Sequence, residues 1–237
     1  MTPLILAEPE RPFWGFAELF VAAALFLASG FLVATAAPWL HLPEQSGMWS
    51  VIEEGVVYAV LFLALKVMFA NHGKGVFDSL GWSKPTPFTP RSLAILGIAL
   101  SLGVGVLEKV LRTPEVDTPF DKLLGDPASR IAVALFGITL APIIEELLFR
   151  GFLQPVLTSS FGVLPGILAT SAVFGAMHLM QNAFIWQSGV LIMVVGFVLG
   201  IIRHLSGSTR ASTIVHIAYN LLPFLVLVVT GNPLTKK

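Results

Sequence analysis

Long apolar segments recur along the chain, and they are candidates for helices that cross a lipid bilayer. A spanning helix needs about 20 mostly apolar residues. A helix satisfies all its own backbone hydrogen bonds in the bilayer core, where water is absent. Seven such segments occur, at 16–39, 51–70, 93–106, 131–157, 163–180, 184–202 and 211–230. The sequence therefore predicts an all-α, polytopic transmembrane helical bundle of about seven to eight spans.

The composition agrees with a multi-pass protein of the cell membrane. Hydrophobic residues make up 55% of the chain and charged residues 12%, whereas soluble domains have about 25% charged residues. The formal net charge is zero, so no basic field is available to bind nucleic acid. The chain has no cysteine, which excludes disulfides, thiolate catalysis and cysteine metal sites. The expected surroundings are a lipid bilayer, with no nucleic acid partner.

Two polar loops, at 71–91 and 112–130, divide the apolar segments into groups. The predicted organisation is an N-terminal tail at 1–12, accessory transmembrane helices at 13–111, a polar loop at 112–130, a helical core at 131–232 and a C-terminal tail at 233–237. The first residues lack the basic and apolar pattern of a cleaved signal peptide, so none is expected. Basic residues divide equally between the two sides of the bilayer, so charge does not assign the orientation.

An acidic doublet and an arginine lie inside the fourth apolar segment. Glu146 and Arg150 are four residues apart, so they share one helix face and are expected to form an ion pair. Glu145 points about 100° away and has no local partner. A carboxylate of this kind near a histidine is a plausible general base for bound water. Ionisable residues at membrane depth are costly and usually functional, although bracing of helix packing is the alternative.

Two further motifs lie on the segments that follow. Phe174 and His178 are one turn apart, and so are His216 and Asn220. A single histidine in an apolar helix is as often a packing residue as a catalytic one. The imidazole of His216 and the amide of Asn220 project together and suit an oxyanion site, with an interhelical polar clamp as the alternative. Glu53 and Glu54 repeat the acidic doublet without a following arginine, so an interfacial or structural role is expected for them.

The three motifs Glu-Glu-x-x-x-Arg, Phe-x-x-x-His and His-x-x-x-Asn, in this order, resemble those of the CPBP family of intramembrane proteases. This family includes the type II CAAX prenyl endopeptidases and many bacterial Abi proteins. The resemblance covers about 131–231 and implies an all-helical membrane fold with a polar intramembrane cavity. It implies that 131–232 is the catalytic core. It further implies four catalytic residues and three supporting ones: Glu145 and His178 activating water, His216 and Asn220 as the oxyanion hole, and Glu146, Arg150 and Phe174 in support.

The sequence is compatible with a metal-independent mechanism and with a zinc-dependent one. No His-Glu-x-x-His motif is present, and no two histidines stand four residues apart. Glu145, His178 and His216 could place one carboxylate and two imidazoles around a zinc ion, with water in the open position. If His216 and Asn220 are oxyanion donors, a zinc at the same point would be redundant. A metal-independent, glutamate-type protease without a cofactor is therefore favoured, with zinc as the alternative.

The sequence thus predicts an intramembrane endopeptidase that hydrolyses a peptide bond in a membrane-associated protein or peptide. A prenylated CAAX-type protein is one candidate substrate class, and bacteriocin-type or signalling peptides are another. The alternative is a non-catalytic membrane scaffold or bacteriocin-immunity protein that uses the same polar cluster for binding. A transporter is disfavoured because no internal repeat is found.

Overall fold

A computed structural model describes residues 11–36, 39, 46–114 and 116–231. Most of the predicted N-terminal tail and all of the C-terminal tail lie outside these residues. All regular elements in the described ranges are helices, which confirms the all-α prediction. In chain order they are α1 (Phe16–Ala36), α2 (Gly47–Ala70), α3 (Val76–Ser79), α4 (Pro90–Val110), α5 (Pro119–Lys122), α6 (Pro127–Ile138), α7 (Leu140–Glu146), a π-helix (Leu147–Leu153), α8 (Gln154–Phe161), α9 (Val163–Met177), α10 (Trp186–Ser206) and α11 (Thr209–Thr230).

Five helical segments in the described part of the chain are long and apolar enough to cross a membrane. They are Phe16–Ala36, Pro90–Val110, Pro127–Phe161, Trp186–Ser206 and Thr209–Thr230. The predicted seven to eight spans are therefore not confirmed. Helix α9 has 15 residues, and at 1.5 Å per residue it is shorter than the bilayer core. Helix α2 has sufficient length but carries three charged residues, Glu53, Glu54 and Lys66.

The fourth segment is a broken helix rather than one continuous rod. Pro142 has no N–H, and its ring crowds the carbonyl four residues earlier, which belongs to Ile138. The helix breaks there: α6 ends at Ile138, and Thr139 adopts the non-helical angles φ −114° and ψ −81°. The π-helix follows α7, and Pro155 similarly leaves the carbonyl of Gly151 without an α-helical donor. These two breaks set the direction in which the acidic doublet and Arg150 project.

Two helix ends show why particular residues occupy them: an N-cap that accepts from a free N–H group, and a glycine in a tight turn. Asp126 begins α6 by accepting a 2.9 Å hydrogen bond from the N–H of Ser129, which lowers the pKa of the exposed Asp126 carboxyl. Gly207 separates α10 from α11 with φ +68°, in the left-handed region that glycine adopts without steric cost. The short connection lets α11 fold back beside α10.

Helices α9 and α10 approach each other closely at a glycine. A Cβ atom on Gly175 would lie 2.6 Å from the carbonyl oxygen of Gly189, which is backbone and has no freedom to move aside. The π-helix and α8 attach to α10 through two side chains one turn apart. Arg150 donates to the carbonyl of Gly196 and Gln154 to that of Gly200, both at 3.0 Å. The segment that carries the acidic doublet is thereby fixed to α10.

Packing crosses the predicted boundary at 112–130. Helix α4 packs on α11, and α2 packs on α6. The indole N–H of Trp14, which precedes α1, donates a 2.9 Å hydrogen bond to the carbonyl of Phe152 in the π-helix. The division into accessory helices and a core stays a prediction, and α2 and α4 are both in contact with the helices of the proposed core.

A cavity of about 60 Å³ lies near the end of α11, lined by Pro127, Arg130, Ile131 and Val228. None of these residues belongs to the three motifs. The expected polar cavity at the motif residues is therefore not confirmed.

Candidate active site

The acidic doublet closes α7, and its second member is sealed inside the protein. Glu146 and Arg150 are both fully buried, and Oε1 of Glu146 lies 2.9 Å from Nη1 of Arg150. The ion pair predicted from their spacing is present. Two buried charges are tolerated when each neutralises the other and the remaining polar atoms find partners.

Arg150 connects the doublet to two neighbouring helices. Its Nη2 donates to the carbonyl of Gly196 on α10 at 3.0 Å. Its guanidinium also lies 4.5 Å from the ring centre of Phe174 on α9, in cation–π range. A side chain on Gly196 would crowd both groups, since a Cβ there would lie 3.2 Å from Phe174 and 3.3 Å from Arg150. Phe174 therefore contacts Arg150, and its supporting role in the site stays a prediction.

Glu145 is the member of the doublet that reaches the outside. Its side chain is 14% exposed, whereas that of Glu146 is 0% exposed. Its carboxylate lies between two side chains from other helices. Oε1 is 3.4 Å from the hydroxyl of Tyr58, and Oε2 is 3.8 Å from Nε2 of His216. Glu145 therefore faces a polar pocket of side chains rather than apolar packing.

His216 bridges the two glutamates from α11. Its Nδ1 lies 3.1 Å from Oε1 of Glu146, and because a carboxylate only accepts, Nδ1 carries the hydrogen. Its Nε2 then points toward Glu145. The ring also meets Phe174 edge-on, with centroids 5.9 Å apart. The structure brings His216 to the doublet, and this contact between α11 and α7 was not predicted.

His178 ends α9, one turn from Phe174 as predicted. Its Nδ1 lies 2.8 Å from the carbonyl oxygen of Phe174, so this nitrogen donates and the neutral ring keeps a lone pair on Nε2. The two rings pack at 4.6 Å. Among the described residues, His178 and Glu145 are not joined by a direct hydrogen bond or ion pair. The structure thus places His178 beside the shared Phe174 ring, and its role with Glu145 stays a prediction.

Asn220 hydrogen-bonds a backbone carbonyl of α6, a contact that its predicted role in the oxyanion hole did not include. Its amide nitrogen donates a 2.7 Å hydrogen bond to the carbonyl of Gly137. Gly137 is the penultimate residue of α6, next to the break at Thr139. A carbonyl beside a helix break lacks its usual donor, and the Asn220 amide supplies one. One of its two amide hydrogens is therefore committed to α6.

Two further polar residues belong to the site and come from α2. Tyr58 is buried, and its hydroxyl donates to Oε1 of Glu54 at 2.7 Å while lying 3.4 Å from Glu145. The interfacial or structural role expected for Glu54 did not include this contact. The hydrogen bond between Tyr58 and Glu54 could have been predicted from their spacing, because residues four apart put a carboxylate and a phenol on one face of α2.

The residues proposed as zinc ligands do not form a metal site in the described part of the chain. No group of three carboxylate or imidazole side chains there is arranged to hold a metal ion. Glu145 and His216 are neighbours, whereas no hydrogen bond or ion pair joins His178 to either of them in the described part of the chain. The ligand set Glu145, His178 and His216 therefore does not fit a zinc ion in this arrangement, and no step is assigned to one.

An apolar helical bundle with a buried cluster of acids, histidines and an arginine defines an integral membrane protein with an internal polar site. Residues 127–222 match the family described as type II CAAX prenyl endopeptidase Rce1-like. This range contains all seven residues of the three motifs. No curated protein and no solved structure matches the chain. The match covers less than half of the chain, and it supports the family resemblance predicted from the motifs.

Proposed function

We propose that this protein is an intramembrane endopeptidase that hydrolyses a peptide bond with water activated by Glu145 and His178. The observation that carries the proposal is the contrast within the doublet. Glu146 is fully buried and paired with Arg150, whereas the carboxylate of Glu145 is partly exposed and lies among polar side chains. Two adjacent carboxylates in different environments take different roles. Glu146 supports the site, and Glu145 is left to act on water.

In the proposed reaction a water molecule is bound between Glu145 and Nε2 of His178. As the water oxygen forms a bond to the peptide carbonyl carbon, its proton passes to Glu145 or His178. The electron pair of the C=O π bond moves to the oxygen and gives a tetrahedral oxyanion. The C–N bond then breaks, the nitrogen takes up the proton, and a carboxyl terminus and a free amine are released. The lone pair on Nε2 of His178 supports its role as a proton acceptor.

His216 and Asn220 are proposed to stabilise the oxyanion. A carboxamide has two hydrogens, so Asn220 keeps one after its bond to Gly137. His216 is oriented by Glu146, and in the proposed role it is an imidazolium that donates from Nδ1 to Glu146 and from Nε2 to the oxyanion. Removal of one donor of this kind typically costs about 10²–10³ in kcat. Asn220→Ala is accordingly expected to lower kcat more than it changes KM.

The proposed substrate is a membrane-associated protein or peptide that reaches the site from the bilayer of the cell membrane through a polar cavity. The outward faces of α1 and α4 are apolar and exposed, which suits contact with lipid. A prenylated CAAX-type protein is one substrate class, and the match of residues 127–222 to the CAAX endopeptidase family supports it. Bacteriocin-type or signalling peptides are the second class. We favour the metal-independent mechanism, because a zinc ion would need His216 as a ligand, whereas His216 is proposed here as an oxyanion donor.

The experiment that tests this proposal is cleavage of a peptide panel by the purified protein in liposomes. The panel pairs each CAAX peptide in prenylated and unmodified form with unmodified transmembrane peptides. Wild type is compared with Glu145→Gln and His178→Ala, with Lys74→Ala as a surface control. Cleavage by wild type and the control, lost in both site variants, supports the proposal. Equal cleavage by Glu145→Gln contradicts it.

One observation favours the second candidate, a non-catalytic scaffold or bacteriocin-immunity protein. Asn220 and His216 each bind partners within the protein, as an interhelical clamp would. Such a protein would cleave no member of the panel, and Glu145→Gln would keep its cellular effect. Cleavage that depends on Glu145 excludes this candidate.

A further inference from the structure

Helix α2 supplies a pair of polar side chains that reaches the proposed base from outside the three motifs. Glu54 and Tyr58 are one turn apart on the same face of α2. The hydroxyl of Tyr58 lies 3.4 Å from Oε1 of Glu145, although the two residues are 87 positions apart in the sequence. The motif residues all lie within 127–222, so α2 contributes to the site from outside the matched segment.

The Tyr58 side chain contacts Phe136 and Glu54 as well as Glu145, and these contacts fix the position of its hydroxyl. Its ring is buried and stacks on Phe136, with centroids 6.1 Å apart and planes 13° from parallel. Its oxygen is 2.7 Å from Oε1 of Glu54. A phenol has one hydrogen and two lone pairs. The short contact to Glu54 therefore sets the orientation of the O–H group and leaves the oxygen facing Glu145.

Glu145 lies between this hydroxyl and His216. Its two oxygens face different partners, Oε1 toward Tyr58 at 3.4 Å and Oε2 toward Nε2 of His216 at 3.8 Å. Both distances are longer than a usual hydrogen bond, and catalytic contacts often shorten only when substrate is bound. Since the hydrogen of Tyr58 is used by Glu54, the lone pair of Tyr58 accepts a hydrogen from Glu145 once Glu145 has taken the proton from water. This contact would hold Glu145 in one orientation while it carries the proton, and small errors in that orientation lower the rate strongly.

We propose that Tyr58 is a positioning residue for Glu145, and that Glu54 holds Tyr58 in place. This inference rests on the proposed function, since it assumes that Glu145 acts on water. Neither residue touches the substrate in this account. Their effect is on the orientation of Glu145, so it is expected in kcat and not in KM.

The chain offers close controls for this test. It contains two tyrosines, and Tyr219 packs on α11 against the cluster formed by α4 and α10. Glu53 precedes Glu54 and projects about 100° away around α2, and it makes no hydrogen bond or ion pair among the described residues. Tyr219→Phe and Glu53→Ala therefore repeat the chemical changes away from Glu145.

The experiment measures kcat and KM for Tyr58→Phe, Glu54→Ala, Glu54→Gln and the double variant Tyr58→Phe/Glu54→Ala. Wild type, Glu145→Gln and the two control variants are measured for comparison. We expect Tyr58→Phe and Glu54→Ala to lower kcat about tenfold with KM within about twofold, as loss of one supporting hydrogen bond predicts. Glu54→Gln keeps an acceptor oxygen and should recover most of the loss. The double variant should fall no further than Tyr58→Phe, because both act through one chain of contacts.

The outcomes separate this inference from the proposed function. Wild-type cleavage that needs Glu145 but is unaffected by Tyr58→Phe overturns the inference and leaves the function standing. A rise in KM at constant kcat, or losses that add in the double variant, also overturns it. Absence of cleavage by wild type overturns the proposed function and the inference with it. Size-exclusion profiles and thermal midpoints equal to wild type show that a loss of kcat is not a loss of folding.

Discussion

At the scale of single residues, Glu146 and Arg150 form a buried ion pair that stabilises the site, and Glu145 is proposed to act on water. The buried pair is joined at 2.9 Å, and Arg150 is also bound to the carbonyl of Gly196. Taking such charges out of water costs several kcal/mol, which the pair recovers only while both members are present. Glu145 has no comparable partner and stays partly exposed.

Glu146→Gln is expected to destabilise the protein by about 3–5 kcal/mol, because it leaves the charge of Arg150 buried without a counter-charge. The double variant Glu146→Gln/Arg150→Met removes both charges and should recover most of that stability. Unfolding in detergent, followed by tryptophan fluorescence, measures both. A double variant as unstable as the single one would contradict this account of the pair.

The residue contacts that could be predicted are those set by helical spacing. The pairing of Glu146 with Arg150, and the common face of Phe174 and His178, follow from residues one turn apart. The approach of Tyr58 to Glu145 depends on how α2 packs, which spacing along the chain does not contain. The partner of Asn220 was missed for a different reason: Gly137 needs a donor only because the helix breaks at Thr139.

At the scale of secondary-structure elements, the site depends on short distances between helices. Helix α9 carries Phe174 and His178, and it lies against α10 at Gly175. The helix break at Thr139 precedes α7, and the π-helix follows it, so the acidic doublet lies between two departures from regular α-helix. Departures from regular α-helix of this kind are frequent at functional sites. The apolar pattern indicated where helices occur, but it did not separate α6, α7 and α8, because Pro142 and Pro155 interrupt a run that is apolar throughout.

Gly175→Ala is expected to separate α9 from α10 and to lower both stability and activity. Its Cβ would lie 2.6 Å from the carbonyl oxygen of Gly189, and overpacking of this kind costs about 1–3 kcal/mol. Gly103→Ala on α4 is the matched control, since nothing lies within 4 Å of its Cβ position. Thermal unfolding and peptide cleavage are measured for both. Equal behaviour of the two variants would show that the close approach is not required.

At the scale of the whole molecule, the helices form a bundle whose outer surface is apolar and whose polar groups meet inside. Five segments are long and apolar enough to span a membrane. The predicted membrane class is correct because the composition alone requires it. The predicted number of spans is not confirmed, because hydropathy does not distinguish a spanning helix from a buried apolar helix as short as α9.

Helix α4 is expected to cross the bilayer, which places Lys74 and Lys122 on opposite sides. The chain has no cysteine, so Lys74→Cys and Lys122→Cys each introduce a single reactive thiol at an exposed position. A membrane-impermeant maleimide applied to sealed vesicles of uniform orientation should label one variant and not the other. Labelling of both from the same side would mean that α4 does not span the membrane as assigned.

The central claim is that Glu145 activates water for peptide hydrolysis without a metal ion. The measurement that tests it most directly is the initial rate of cleavage of one membrane-associated peptide by wild type and Glu145→Gln in proteoliposomes, with and without a chelator, with products identified by mass spectrometry. The account predicts cleavage by wild type that survives the chelator and is absent in Glu145→Gln. Cleavage that is lost with the chelator and restored by zinc, or that persists in Glu145→Gln, would contradict it.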